Sequence, residues 1–326
     1  MSRFVSIAEA REATGLRMAC LRGVPSPWTE AAKGIFYIKG LDCQYAAQKC
    51  DDEPDAIAAW AGSSSVPVVA YENETLRTGW AEILLLAERL VPEPGLIPED
   101  ETGRALMFGL SHEICGEMGF GWCLRLRAVQ QSLSHDPAAG EAKGFPLEVS
   151  ASLASKYGFN PGDVAIAKVR AIRIAAMLDE RLTTNRFLLG GELTALDIYW
   201  AAFANMLTPL PEEQLPAVPM IRDIYTNTDP ELDAAITTRL RDHQRLVYEQ
   251  PVAEVTFQQL AEQEFLTDIK SLDSSYQHTV NLRGDEWQLD TQVLTWRGVA
   301  TLLGLDANYR LHRISGRYSD IEEERQ

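Results

Sequence analysis

Ser65-Val66-Pro67-Val68-Val69-Ala70-Tyr71, continued by Glu72-Asn73-Glu74-Thr75-Leu76 and an apolar-periodic run from Gly79 to Leu90, decides how the chain is read. A β-branched run that contains Pro67 is no ordinary central strand, because proline has no N–H for the ladder and sits at edges, bulges or strand starts. Glu72-Asn73-Glu74 supplies a turn into a short second strand. Ile83, Leu84, Leu86, Ala87 and Leu90 then fall at helical spacing. The stretch predicts strand, hairpin, helix.

Upstream, Leu16 to Leu21 reads as a first strand and Arg22 to Pro27 as the loop after it. Ser26 suits a helix N-cap and Pro27 the first helical position, where the missing N–H costs nothing. The helix runs through Ile38 and stops at Lys39-Gly40, a cation in the last turn followed by glycine. Leu41 to Ala47 is a second strand and Pro54 to Ala61 a short second helix.

This order, together with Ser26-Pro27-Trp28, Ile38-Lys39-Gly40-Leu41 and Val66-Pro67-Val68-Val69, resembles the glutathione transferase family over residues 16 to 91. The second marker is Gly191-Glu192-Leu193-Thr194-Ala195-Leu196-Asp197, similar to the family's box at the start of a buried helix. Thr194 and Asp197 stand three apart before an apolar run, the spacing of a capping box with aspartate for glutamate. The resemblance implies an α/β thioredoxin-like domain (residues 1–92) and an all-α helical domain (99–250). Residues 251–326 form a small α+β C-terminal extension. Between the first two lies the proline-rich connector Val91 to Pro98, which cannot continue a helix.

Beyond the connector, Glu101 to Leu133 reads as one long helix, 147–158 and Asp163 to Leu182 as two more, and Pro230 to Gln250 as a last one. In the extension the pattern predicts a helix from Phe257 to Asp273 and a hairpin of Gln277 to Leu282 with Glu286 to Leu289. A short helix (Trp296 to Leu303) and a strand (Tyr309 to Ser315) follow.

Among 326 residues, 30 basic against 47 acidic side chains give a net charge of −17, which argues against sequence-independent binding to nucleic acid or an anionic membrane surface. Neither a secretory leader nor an apolar run of membrane-spanning length, about 20 residues, is expected. Five cysteines without a CxxC pair fit neither a disulfide framework nor a zinc site, and imply a reducing cytoplasm. His112-Glu113 has Gly116 where a second histidine would complete a zinc motif, and Gly119-Phe120-Gly121 follows no strand.

The resemblance then assigns a site. Ser26, a hydroxyl at the positive end of a helix, stabilises the glutathione thiol as thiolate. Val66, ahead of a cis Pro67, offers its backbone to the cysteinyl residue of the bound tripeptide, a one-residue strand addition. Thr78 and Gly79 occupy the positions of the family's acidic residue and serine, which grip the γ-glutamyl group; nothing acidic remains there for the ammonium. Trp28, Met118 and Trp122 line the second-substrate side, with Phe120 nearby. The function implied is conjugation or exchange of the glutathione thiol on a small electrophilic molecule by a homodimer, with glutathione as co-substrate. The alternative is a non-catalytic binding or scaffolding protein of the same fold, acting through its C-terminal extension.

Overall fold

The structure, a computed structural model, describes residues 4–21, 23–48, 56–62, 65–134, 144–211, 215, 217–226, 229–246, 253–261, 263–271, 277–284, 286–294 and 308–317. These fall into two compact units, the described residues up to 246 and those from 253 onward.

The first unit opens with α1 (Ile7–Glu12), whose N-cap Ser6 and Glu9 exchange hydrogen bonds: Ser6 N–H donates to Glu9 Oε2 at 2.8 Å and Glu9 N–H to Ser6 Oγ at 3.2 Å. β1 (Leu16–Leu21), α2 (Pro27–Ile38), β2 (Cys43–Gln48), α3 (Ala56–Ala61), β3 (Val68–Tyr71) and α4 (Trp80–Leu90) follow. The sheet order is β2-β1-β3, with β1 parallel to β2 and antiparallel to β3. This is the thioredoxin-like layout, and alternation along β1 shows how both faces are covered. Met18 joins the core under α2 and α4, while Ala19 joins a smaller core under α1 and α3. The expected strand after the Glu72–Glu74 turn reduces to one bridge, Val69 with Arg77. Two residues on, Gly79 already caps α4, so no chain remains for a ladder.

Buried Lys39 ties the connector down. Its Nζ lies 2.6 Å from Glu88 and donates to the carbonyls of Pro92 (3.0 Å) and Pro94 (2.6 Å), while Glu88 accepts from Leu96 N–H at 2.9 Å. The cation read from sequence as a helix stop thus also fixes the exit of α4. The Leu96 carbonyl accepts the Ala195 N–H at 2.9 Å.

The helical part comprises α5 (Glu101–Cys115), α6 (Phe120–Leu133), α7 (Leu147–Lys156), α8 (Pro161–Arg181), α9 (Ala195–Ala204), α10 (Pro219–Tyr225), α11 (Pro230–Ala235) and α12 (Thr238–Leu246). Every residue of α9 is buried. One core runs from Phe36 on α2 through Trp200 on α9 to Leu240 on α12. Two expected helices are each broken. The run from Glu101 breaks between Cys115 and Phe120, where Met118 takes φ +54° and a Cβ on Gly119 would stand 2.7 Å from the Glu113 carbonyl. The run from Pro230 breaks at Ile236, whose ψ of 87° is not helical, and the Thr237 hydroxyl then accepts the Leu240 N–H at 3.3 Å. Among the described residues no helix is long and apolar enough to cross a membrane.

The second unit is built of β4 (Ala253–Ala261), β5 (Glu264–Ser271), β6 (Gln277–Arg283), β7 (Glu286–Leu294) and β8 (Asn308–Arg317). Sheet β4-β5-β6 and ribbon β7-β8 are both antiparallel. The helix expected from Phe257 to Asp273 is instead the β4-β5 hairpin. Its turn places Gln263 at φ +55°, and Thr267 and Ile269 alternate into a buried face closed by Leu282. Residues 257, 260, 261 and 265 match helical spacing, but 265, 267 and 269 match period two equally well, and pairing with β6 selects the strand. The expected hairpin of Gln277–Leu282 with Glu286–Leu289 is also corrected: both segments are strands, but β6 pairs with β5 and β7 with β8. The helix expected at Trp296–Leu303 lies outside the described residues.

Candidate functional site

Ser26 caps α2 in extended conformation (φ −65°, ψ 128°), with Pro27 at the first helical position. Its carbonyl accepts the Glu30 N–H at 2.9 Å and its own N–H donates to the Val24 carbonyl at 2.8 Å. Its hydroxyl bonds to no described residue. Elsewhere the cap side chains are spent: Asp100 accepts from Gly103 N–H at 2.7 Å, Asn160 from Asp163 N–H at 3.0 Å and Asp229 from Glu231 N–H at 3.1 Å. One turn into α2 a second hydroxyl, that of Thr29, is buried with no described partner. The first N–H groups of a helix have no intrahelical acceptor and carry the positive end of its dipole. The head of α2 is therefore a buried, donor-rich spot with two uncommitted hydroxyls.

Strand register places the other expected residues. Val68 lies opposite Ala19 on β1, so β3 enters the sheet at the end where β1 leaves toward Ser26, and Val66-Pro67 lies just outside that end. The Val69–Arg77 bridge brings Thr78 and Gly79 back along the same edge. The Val66-Pro67 peptide is cis, and Val66 makes no backbone hydrogen bond to a described residue. Thr78 is exposed. Gly79 caps α4, and its N–H donates to Glu82 Oε2 at 3.3 Å. An acidic group thus stands beside Gly79, supplied from the first turn of α4. Glu74 is committed to Arg77 and Arg89, each 2.6 Å from its Oε2, and those contacts hold its carboxyl below the usual range, Arg89 contributing most.

Trp28 projects from α2 into the helices. Its Nε1–H donates to the Cys115 carbonyl at 3.0 Å, its ring meets Phe203 edge-on at 4.8 Å, and Tyr157 is 6.3 Å away. Trp122 reaches the same Tyr157 ring at 4.5 Å, so Trp28 and Trp122 flank one tyrosine. A Cβ on Gly121 would come within 2.4 Å of the Phe203 ring, which is why glycine stands at this point of α6. Met118 is held chiefly by its backbone, its carbonyl accepting from Arg170 Nε at 3.1 Å. Arg170 also pairs with Glu113 at 2.5 Å. Phe120 is fully buried against Trp200 and belongs to the core.

The described thiols offer no nucleophile here. Cys20, Cys43, Cys115 and Cys123 are free and buried, and burial pushes the Cys20 and Cys123 thiols up to about 11, that of Cys43 further, and that of Cys115 well above its ordinary value. On the buried face of α2, Lys33 Nζ lies 2.7 Å from Glu30 Oε1, and burial raises the Glu30 carboxyl against that pull. Among the described residues no group of histidine, cysteine and acidic side chains is arranged to hold a metal.

Sequence reading missed Glu82 and a buried cation, Arg125, which is 5% exposed and donates to the Tyr225 hydroxyl at 3.0 Å. Tyr225 in turn donates to the carbonyl of Pro25, the residue before Ser26, at 3.2 Å. The available signal was spacing: Gly121, Arg125, Val129 and Ser132 share one helix face, and an arginine in that row has to enter the core.

Neither a family model nor a curated protein matches the sequence. Solved structures similar to the chain include a glutathione S-transferase domain-containing protein from Marinobacter aquaeolei VT8, at 18% identity and TM-score 0.49, covering 72% of this chain and 98% of that one. Another is a glutathione S-transferase from Methylobacterium radiotolerans in complex with glutathione sulfonate, at 16% identity and TM-score 0.45, covering 76% and 100%. A third is glutathione transferase Omega 3C from Trametes versicolor, at 11% identity and TM-score 0.45, covering 75% and 89%.

Proposed function

We propose that this chain binds the thiol of glutathione at the head of α2 and delivers it, as thiolate, to a small electrophilic molecule held against Trp28 and Trp122. The observation that carries this reading is the Ser26 hydroxyl, placed at a helix start and spent on no cap. A thiolate there gains the Ser26 O–H and the free N–H groups of the first turn, while a neutral thiol gains much less, so the ionised fraction rises near neutral pH. Val66, whose backbone groups bond to no described residue, supports the reading as a strand-like partner for the cysteinyl residue. The four described thiols are buried and held protonated, which favours a sulfur nucleophile supplied by the ligand.

One contact favours the second reading, a binding or scaffolding protein without turnover: the Glu82 carboxylate occupies the Gly79 N–H that an anionic ligand group would use. Calorimetry of reduced glutathione beside a thiol-conjugation assay separates the two. Under the first reading wild type binds glutathione, and Ser26→Ala slows conjugation roughly 10- to 100-fold, the worth of one hydrogen bond to a charged group, with little change in affinity. Glu82→Gln then tightens glutathione. Wild type that neither binds nor turns over, with binding gained in Glu82→Gln, sinks the enzyme reading and leaves the scaffold.

A further inference from the structure

Within the helical part, α6, α8, α10 and α11 line a pocket of about 580 Å³ that is open to solvent on one side, a size suited to a small organic molecule. Leu124, Val164, Met206 and Leu232 supply apolar wall, and Arg125 and Tyr225 stand in its lining. We propose that this pocket binds a small organic carboxylate, its anionic end paired with Arg125 and its apolar body against those walls.

Three cations line the pocket, and two are already neutralised: Arg127 lies 2.8 Å from Asp229, and Lys168 lies 2.9 Å from Asp229 and 2.6 Å from Glu231. Arg125 is the most buried of the three and has no carboxylate partner among the described residues. Its guanidinium donates to the Tyr225 hydroxyl, has the Tyr157 phenol nearby, and faces the rings of Phe145, at 5.4 Å, and Tyr225, at 5.5 Å. Phenols and ring faces orient a guanidinium but do not cancel its charge, and a buried charge without a counter-ion is costly. A carboxylate entering the pocket supplies that counter-ion, with two oxygens for the remaining N–H donors of the fork. The site needs no thiol, so it stands apart from the chemistry proposed at Ser26. The Arg125–Tyr225–Pro25 chain nevertheless runs from it to the residue before Ser26.

The test is calorimetric titration of the full chain with 4-phenylbutyrate and with 4-phenylbutanamide, the uncharged analogue of the same shape, in the absence of any thiol. Wild type is expected to bind the acid and to discriminate against the amide. Arg125→Gln is expected to weaken the acid roughly 10- to 100-fold and abolish the discrimination. Because losing a buried guanidinium also removes ring contacts, Arg125→Lys, which keeps the charge, and Tyr225→Phe, which keeps the ring, are titrated beside it. The lysine variant is expected to retain the acid's preference at lower affinity, and the phenylalanine variant to bind the acid several-fold more weakly. Equal binding of acid and amide by wild type overturns the proposal, as does binding of neither at millimolar concentrations. Discrimination that persists in Arg125→Gln, or inorganic sulfate competing as an equal of the acid, overturns it too. Since no thiol is present, failure here leaves the glutathione reading untouched.

Discussion

Cys20 shows at the residue scale how burial decides chemistry that residue type alone leaves open. It is 1% exposed at the end of β1, and desolvation raises its thiol from the ordinary 9.0 to about 11, outweighing the nearby Lys33 charge. A thiolate is the reactive species, so the folded chain suppresses alkylation near pH 8 at Cys20, Cys43, Cys115 and Cys123. A Cys50→Ser variant should therefore react with iodoacetamide at pH 8 only as fast as it unfolds, and rapid labelling of the native protein would contradict this. A thiol whose folded value lies above its unfolded one contributes stability in full below 9.0 and loses it as pH rises through about 11. Ser26 presents the converse case: Ser-Pro before an apolar run marks a helix start in any context, but whether the hydroxyl is spent on the cap depends on side-chain geometry. Glu82 illustrates the same limit, for a glutamate three residues after Gly79 becomes a partner only once the turn of α4 brings it back to the Gly79 N–H.

At the element scale, the start of α9 departs from a simple capping box. Asp197, fully buried, accepts the Thr194 N–H at 2.8 Å and the Thr194 hydroxyl at 2.9 Å through one oxygen. Through the other it accepts the Leu188 N–H at 2.8 Å and meets His243 Nε2 of α12 at 2.9 Å. The aspartate, more than the threonine, therefore joins the 188 loop, the α9 start and α12. Thr194→Ala removes one bond, at about 0.5–2 kcal/mol, the range for a lost cap. Asp197→Ala leaves two buried N–H groups and a histidine without their acceptor, at about 3–5 kcal/mol. Denaturant unfolding of both variants checks the order, and equal losses would show that the aspartate is no hub. The pair was legible at its spacing, but the Leu188 and His243 contacts, across 9 and 46 residues, were not. The same distinction explains the broken helices, where the apolar period runs on through Met118 and Ile236 while the backbone does not.

At the scale of the whole molecule, the described residues up to 246 and those from 253 onward are each compact. The first set carries one continuous core from the sheet to α12, so a chain ending at residue 248 is expected to stay soluble, to unfold cooperatively and to keep the binding responses of the full protein. Far-UV circular dichroism, thermal melts and the calorimetric titrations test this; an insoluble or molten product would show that the later residues are integral to the first unit. What the sequence determined by itself is local: the Pro67 strand start, the Ser26-Pro27 helix start, the proline-rich exit at Val91 to Pro98 and the Thr194–Asp197 spacing all rest on backbone constraints within a few residues. Tertiary structure alone decided the rest. A stretch such as 257–269 satisfies helix and strand periods together, and only pairing with β6 lets it bury Thr267 and Ile269. Arg125 acquires a role only because α6, α7 and α10 converge on it. Its charge, the phenols beside it and the pocket it lines come from segments up to 100 residues apart, which no local pattern couples.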